Sequence, residues 1–273
     1  MGLIAFSLGD AVGYLYGCIV MAAVLAGLLA AWIAVRLRHE DFSVVLDLLL
    51  WGLPVGIFAA WFGYVLGHWQ LYSGHLSEIL NFGQGGISLY GGAIGFLLTA
   101  AVYCRWHGLS LWHWLDVLAP ALLLGLAVNE LGIFFTQMTV GAPLPPDLPN
   151  DHTLVEYIDF RYRPSGFEDY QYFKPIALYQ AGMQLVVLLL AVLLSVVNAR
   201  WQRLAAGGIF LLSMAAIGFI RFACGFSYLS ALPHGSLHGG QILALTGAAL
   251  CLLLFLVRQY RNRRRSWYRG GRW

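Results

Sequence analysis

Apolar side chains arrive in long blocks along this chain, separated by short polar connections. The blocks show neither the two-residue alternation of a half-exposed strand nor the narrow stripe of a helix lying on a soluble core. A bilayer core needs about 20 apolar residues per crossing. Blocks of that length fall at roughly 12–35, 44–67, 86–104, 114–137, 176–198, 205–225 and 238–257, and predict seven membrane helices. The fourth and sixth each enclose a charge. The longest connection, 138–175, holds six of the nine prolines together with acidic and aromatic residues. That composition predicts an irregular, packed head segment outside the membrane. Its Tyr157, Tyr162, Tyr170 and Tyr172 suit the level of the lipid headgroups.

Composition sharpens this picture. The chain is 60% hydrophobic and 11% charged, with a mean hydropathy of +0.71, whereas soluble domains carry about 25% charged residues. An all-α integral membrane protein is the expectation, with residues 1–257 as one membrane domain and 258–273 as a basic tail. Of the sixteen Lys and Arg residues, twelve lie on one set of connections and three (Arg161, Arg163 and Lys174) on the other, with Arg221 inside a span. The positive-inside rule then places the N-terminus outside and the C-terminus in the cytoplasm. No Lys or Arg precedes Arg36, so the basic start of a signal peptide is missing and the first block reads as a retained helix. Seven arginines lie between Arg258 and Arg272. Directly after a span, such a run reads as an anchor on anionic headgroups, not as a nucleic-acid site.

Candidate chemistry is sparse. Cys18, Cys104, Cys224 and Cys251 lie in or beside apolar runs, with no metal-ligand spacing to the histidines, and read as small core residues. No metal or cofactor motif is present, and no internal repeat of the kind that marks many transporters is visible. Two charges stand where lipid chains should be: Glu130 in LGLAVNELGIFF and Arg221 in MAAIGFIRFACGF. Intramembrane charges are expensive, and either pair with each other or mark function. Asn129 and Gln241 are polar residues able to join them. Asp47 and Asp116, near span starts, read as structural carboxylates at helix N-termini. The stretch GGISLYGGAIG, residues 85–95, places five glycines around Tyr90. Such thinning lets helix backbones approach each other, or exposes N–H groups to an anion.

Taken in order, these landmarks resemble those of the bacterial prolipoprotein diacylglyceryl transferases, from about residue 7 to 257. VGYLYG is similar to the family's entry motif L-x-W-Y-G and places its tyrosine at Tyr16. WFGYVL (61–66) resembles R-x-G-Y-V-L and contains Tyr64. QGGISLYGGAIG (84–95) is similar to the signature D-G-G-M-S-F-H-G-G-L-I-G. LAPALLLGLAVNELGIFFTQM (118–138) resembles the segment that ends G-R-x-G-N-F-x-N-G-E. KPIALYQ (174–180) is similar to H-P-x-Q-L-Y-E, RFACG (221–225) to R-F-x-x-E, and the closing G-Q-I-L stands at Gly240–Leu243.

The resemblance implies a multi-pass protein of the bacterial inner membrane that moves a diacylglyceryl group from phosphatidylglycerol to the thiol of a lipobox cysteine on a secreted precursor. Its partners would be phospholipid and precursor, with no cofactor and no nucleic acid. Such a site must hold a phosphate and accept a thiol proton. Carried over, these roles fall to Arg221 and Glu130, with Tyr16 and Tyr90 orienting the headgroup. Gly85, Gly86, Gly91, Gly92, Tyr64 and Gln241 would line the lipid. The chain also departs from the pattern. Tyr90 stands at the family's histidine, Glu130 at its arginine, Ile133 and Thr136 at its asparagines, Met138 at a glutamate, Trp61 at an arginine and Gly225 at a glutamate. A second expectation is therefore a protein of the same fold that binds a phospholipid or partner without turning it over. Glu130 gained and Gly225 replacing a glutamate suggest a rearranged charge network centred on Arg221.

Overall fold

The computed structural model describes residues 2–74, 88–145, 154–160, 163–229 and 239–270. Its helices are α1 (Gly2–Leu37), α2 (Ser43–Gly67), the single turn α3 (Trp69–Tyr72), α4 (Leu89–Trp106), α5 (Leu111–Thr136), α6 (Ile176–Trp201), α7 (Gly208–Gly225) and α8 (Gly239–Gly270). Between α5 and α6 lie two short strands, β1 (Glu156–Tyr157) and β2 (Tyr172–Phe173). Among the described residues, six helices are long and apolar enough to cross a membrane: α1, α2, α5, α6, α7 and α8. α4 supplies the seventh expected block. It has 18 residues, about 27 Å of helix, and three of its first seven are glycine, which lowers its hydropathy. The charges within the fourth and sixth blocks do not interrupt the helices, because both find partners inside the protein.

The observed ends differ from the blocks in places. α1 starts ten residues before the apolar block does, and α4 starts at Leu89 where the sequence predicts 86. Ser88 caps α4, its hydroxyl accepting from the Gly91 N–H at 3.2 Å, as small hydroxyl residues do at helix starts. α8 runs through the arginines to Gly270. Its 32 residues span about 48 Å, far more than a bilayer core of about 30 Å, so the basic turns project beyond the apolar part.

Two compact units make up the chain, one comprising 32–114 and the other the remainder, with the boundaries inside α1 and α5. In the smaller unit, α2 and α4 form a tightly packed pair. A Cβ added at Gly91 would strike the Ala59 carbonyl. One at Gly95 would lie 2.5 Å from the Ala59 methyl, and one at Gly92 would lie 3.3 Å from the Ala60 methyl. Close approach of two backbones is therefore what these glycines permit, the first of the two uses read from the sequence. Tyr103 on α4 donates to Asp47 on α2 at 2.6 Å, so Asp47 has a structural partner, but on the neighbouring helix and not at a helix N-terminus.

In the larger unit, α1 meets α5 through small residues. A Cβ at Gly132 would reach 2.6 Å from Ile19, and one at Gly27 would lie 3.3 Å from the Ala121 carbonyl. Asp116 on α5 does sit at a helix N-terminus, but at that of α7, not of its own helix. Its carboxylate accepts from Gly207 N–H at 2.7 Å and Phe210 N–H at 2.8 Å, filling donors that the first turn of a helix leaves open. The head segment is a packed irregular cap, as expected. β1 and β2 pair antiparallel, Glu156 opposite Phe173, over the buried Ile158 and Phe173. Residues 140–144 lie between β2 and the chain just after α7, through Lys174 N–H to Ala142 O (3.0 Å) and Ala142 N–H to Ser227 O (2.8 Å). Tyr162 lies outside the described residues. Leu189 on α6 and Leu250 on α8 are among many large apolar side chains left exposed, as a lipid-facing surface requires.

Candidate functional site

Within the spans of the larger unit, Glu130, Arg221, Gln180 and Gln184 gather in one place. Glu130 lies about three-quarters of the way along α5 and is only 2% exposed. Arg221 reaches it from α7, its Nη2 donating to the carboxylate at 2.7 Å. The pairing anticipated from the exchanged charges therefore forms. One turn apart on α6, Gln180 and Gln184 face the same carboxylate. Gln184 Nε2 lies 3.5 Å from Glu130 Oε1. With the Gln180 amide nitrogen turned toward Glu130, it donates at 3.2 and 3.3 Å while its oxygen accepts from the Tyr228 hydroxyl at 2.9 Å. Each of these bonds lowers the penalty of holding a charge away from water.

Tyr16 on α1 donates to the Asn129 side chain at 3.0 Å, beside Glu130 in sequence. Tyr228 lies just beyond α7, and burial, with the Glu130 carboxylate behind it, pushes its phenol up to about 12. It is thus a permanent donor at neutral pH. Gln241, at the start of α8, contacts the Phe222 carbonyl at 3.4 Å, next to Arg221. A Cβ at Gly225 would collide with the Gln241 side chain. The glycine at this departing position thus makes the room that Gln241 occupies.

One face of the cluster opens outward. The Arg221 side chain keeps 26% of its surface exposed, while its Nε is buried with no hydrogen-bond partner among the described residues. Cys224, one turn further along α7, lines a groove of about 990 Å³ with Leu131, Lys174, Tyr179, Met183 and Ser227. The groove runs from the head segment down α6 and α7, and its walls are chiefly apolar.

Of the residues singled out from sequence, Tyr16, Glu130, Arg221 and Gln241 belong to this larger unit. Tyr64, Tyr90, Gly91 and Gly92 belong to the smaller one. There Tyr64 stacks on His68 at 4.2 Å and Tyr90 is half-buried on the first turn of α4. Gly85 and Gly86 lie outside the described residues. Gln180, Gln184 and Tyr228 were not anticipated. A signal for the first two existed, since glutamines four residues apart share one face of a helix and are as unusual in an apolar block as Asn129. Tyr228 had none, as it follows the span among other connecting residues.

Comparison with known proteins agrees with the landmarks. The family model described as prolipoprotein diacylglyceryl transferase matches residues 3–257. A protein of Geobacillus kaustophilus named phosphatidylglycerol–prolipoprotein diacylglyceryl transferase is 34% identical over 259 residues, covering 92% of this chain and 90% of that one. Proteins of the same name from Listeria welshimeri (29% identical; 94% and 89% covered) and Synechocystis sp. (30% identical; 94% and 91% covered) are also similar. The chain belongs to the prolipoprotein diacylglyceryl transferase family.

Proposed function

We propose that this protein carries out the transfer named in its relatives, moving diacylglyceryl from phosphatidylglycerol to the cysteine thiol of a prolipoprotein. The observation that carries the reading is the buried Glu130–Arg221 pair with an outward face on Arg221, beside an apolar groove large enough for acyl chain. A base and a cation side by side answer the two demands of the reaction. The thiol sulfur attacks the terminal glycerol carbon, a C–S bond forms, and the C–O bond to phosphate breaks with its electrons going to the leaving glycerol phosphate. The guanidinium offers N–H donors to the phosphate oxygens as charge grows there. In this reading Glu130 takes the thiol proton. Gln184 and Gln180, the latter held by the Tyr228 hydroxyl, fix the carboxylate, and Tyr16 orients the headgroup. Gln241 lines the lipid beside them, whereas Gly91 and Gly92 are taken up by the packing of α4 on α2.

The site acts within a multi-pass bacterial inner-membrane protein, with the N-terminus outside and the C-terminus in the cytoplasm, as the twelve-to-three split of basic residues supports. A second reading, binding of phospholipid without turnover, is favoured by one feature: the 2.7 Å contact with Glu130 offsets the charge that Arg221 offers a phosphate. The deciding experiment is a transfer assay in detergent with phosphatidylglycerol and a lipobox-cysteine peptide, read by mass. The expected result is a diacylglyceryl increment on the peptide that disappears in Arg221→Ala. No increment from folded wild-type protein that retains phosphatidylglycerol would replace the first reading with the second.

A further inference from the structure

The basic end of α8 stands out in the sequence and takes no part in the proposed reaction, yet its first turn is hydrogen-bonded to the connection between α6 and α7. α6 ends at Trp201, with Gln202 in the left-handed region at φ 46°, and the chain turns through 203–207 into α7. Side chains pin this turn on three sides. Asn198 on α6 accepts from Leu204 N–H at 2.8 Å, and Asp116 on α5 holds Gly207 and Phe210. On α8, Gln259 accepts from Ala205 N–H at 3.0 Å and donates to Arg203 O at 2.6 Å. Arg258 donates twice to the Ala206 carbonyl, at 3.0 and 2.8 Å.

These bonds place the turn against α8 at residues 258–259, where its apolar part ends. Arg261 follows Arg258 by three residues and Arg263 follows Gln259 by four, so each continues a face that already touches the turn. Arg200, Arg203, Arg261 and Arg264 are all exposed. Arg203 lies over the exposed Trp201 at 4.4 Å from the ring centre, and Arg264 over the exposed Tyr260 at 4.7 Å. Aromatic rings at the end of a span sit at headgroup depth, and here each carries a guanidinium on its face.

We propose that the α6–α7 turn and the projecting turns of α8 form a docking platform for anionic phospholipid headgroups. The charge is wholly positive among Arg200, Arg203, Arg261 and Arg264. The spans on either side fix the platform at the membrane surface, and guanidinium forks match phosphate oxygens in geometry. Each basic residue near an anionic surface adds attraction that falls off within a Debye length. The platform is separate from the Glu130–Arg221 cluster, so lipid held here need not be lipid consumed.

The test uses the full chain reconstituted in phosphatidylcholine bilayers with traces of spin-labelled phosphatidylglycerol or spin-labelled phosphatidylcholine. The readout is the motionally restricted fraction of each label. Wild-type protein should prefer phosphatidylglycerol several-fold at low salt, with the preference shrinking in 1 M NaCl. Changing Arg200, Arg203, Arg261 and Arg264 together to Gln should bring it close to parity while the phosphatidylcholine label reports the same lipid-facing perimeter. The matching Lys variant should keep most of the preference. A Gln variant that retains the wild-type preference would overturn the proposal. So would wild-type protein without any preference, or a Lys variant that loses as much as the Gln variant.

Discussion

Glu130 and Arg221 hold one another in the middle of apolar helices, and removing either leaves the other partly or wholly stranded. Breaking a buried pair from one side costs about 3–5 kcal/mol. Glu130→Gln and Arg221→Ala should therefore each lower the thermal midpoint in detergent by several degrees, with a smaller loss for the joint change Glu130→Gln with Arg221→Met. Single variants that melt with the wild type would show the pair to be thermally silent. Glu156 in the head segment makes a separate case, outside the membrane. It is 4% exposed, its Oε1 has no hydrogen-bond partner among the described residues, and burial pushes its carboxyl from 4.5 up to about 7. The folded state thus holds this proton more tightly than the unfolded chain. That contribution is full below about pH 4.5, shrinks as pH rises through about 7, and is gone above it. Glu156→Gln should flatten the fall in thermal midpoint between pH 5 and pH 8, and a slope identical to wild type would assign it to other groups. At this scale the sequence showed the charges, because a Glu or Arg inside a Leu-rich block must either find a partner or mark function. Gln180 and Gln184 were legible only as two amides on one helix face, their carboxylate partner hidden on another helix, and Glu156 was not legible at all, since its burial depends on pairing with Phe173 seventeen residues later.

Between elements, α2 against α4 is the clearest case of side chains removed so that backbones can meet. Gly91→Ala and Gly95→Ala each drive a methyl into Ala59 on α2. Overpacking of this kind costs about 1–3 kcal/mol, so both variants should melt several degrees below wild type. Gly67→Ala at the end of α2, with nothing within 4 Å of the new methyl, should not. Equal midpoints for all three would mean that the pair opens freely. Asp116 spans a longer gap in sequence, capping α7 from α5. Asp116→Ala removes two charge-assisted bonds, each worth about 1.5–3 kcal/mol. Faster hydrogen exchange should then appear in the first turn of α7 and in 203–207, and exchange unchanged there would show that Asn198, Gln259 and Arg258 hold the turn without Asp116. Element type was legible because apolar blocks of this length permit little except a membrane helix. Element ends were less so. Arginine is a good helix former, and α8 continues through Arg258–Arg265 although the hydropathy signal stops at Val257. Asp116 was read as serving its own helix because sequence separation conceals which N-terminus a carboxylate reaches.

For the molecule as a whole, the family and its helical architecture were readable from the order of the landmarks, and the family match over 3–257 rests on the same stretch. Less visible was how the departures fit together. Gly225 makes room for Gln241, and Glu130 supplies the carboxylate that meets Arg221, so losses that look independent along the chain are neighbours in space. The charge pattern makes a definite prediction about which side of the membrane each end occupies. Twelve basic residues against three is a strong bias, and the lesser side is the one that carries the head segment. That segment must then face outward, toward the compartment in which a secreted precursor is met. Gly166 lies in an exposed turn at φ +86°, with open space around it, so an epitope inserted there should not disturb the packing of Ile158 and Phe173. In spheroplasts the epitope should bind antibody without permeabilisation, whereas a tag after Trp273 should bind only once the membrane is opened. The opposite pattern would invert the topology, place the Glu130–Arg221 site within reach of the wrong compartment for a secreted substrate, and so remove the transferase reading along with the orientation.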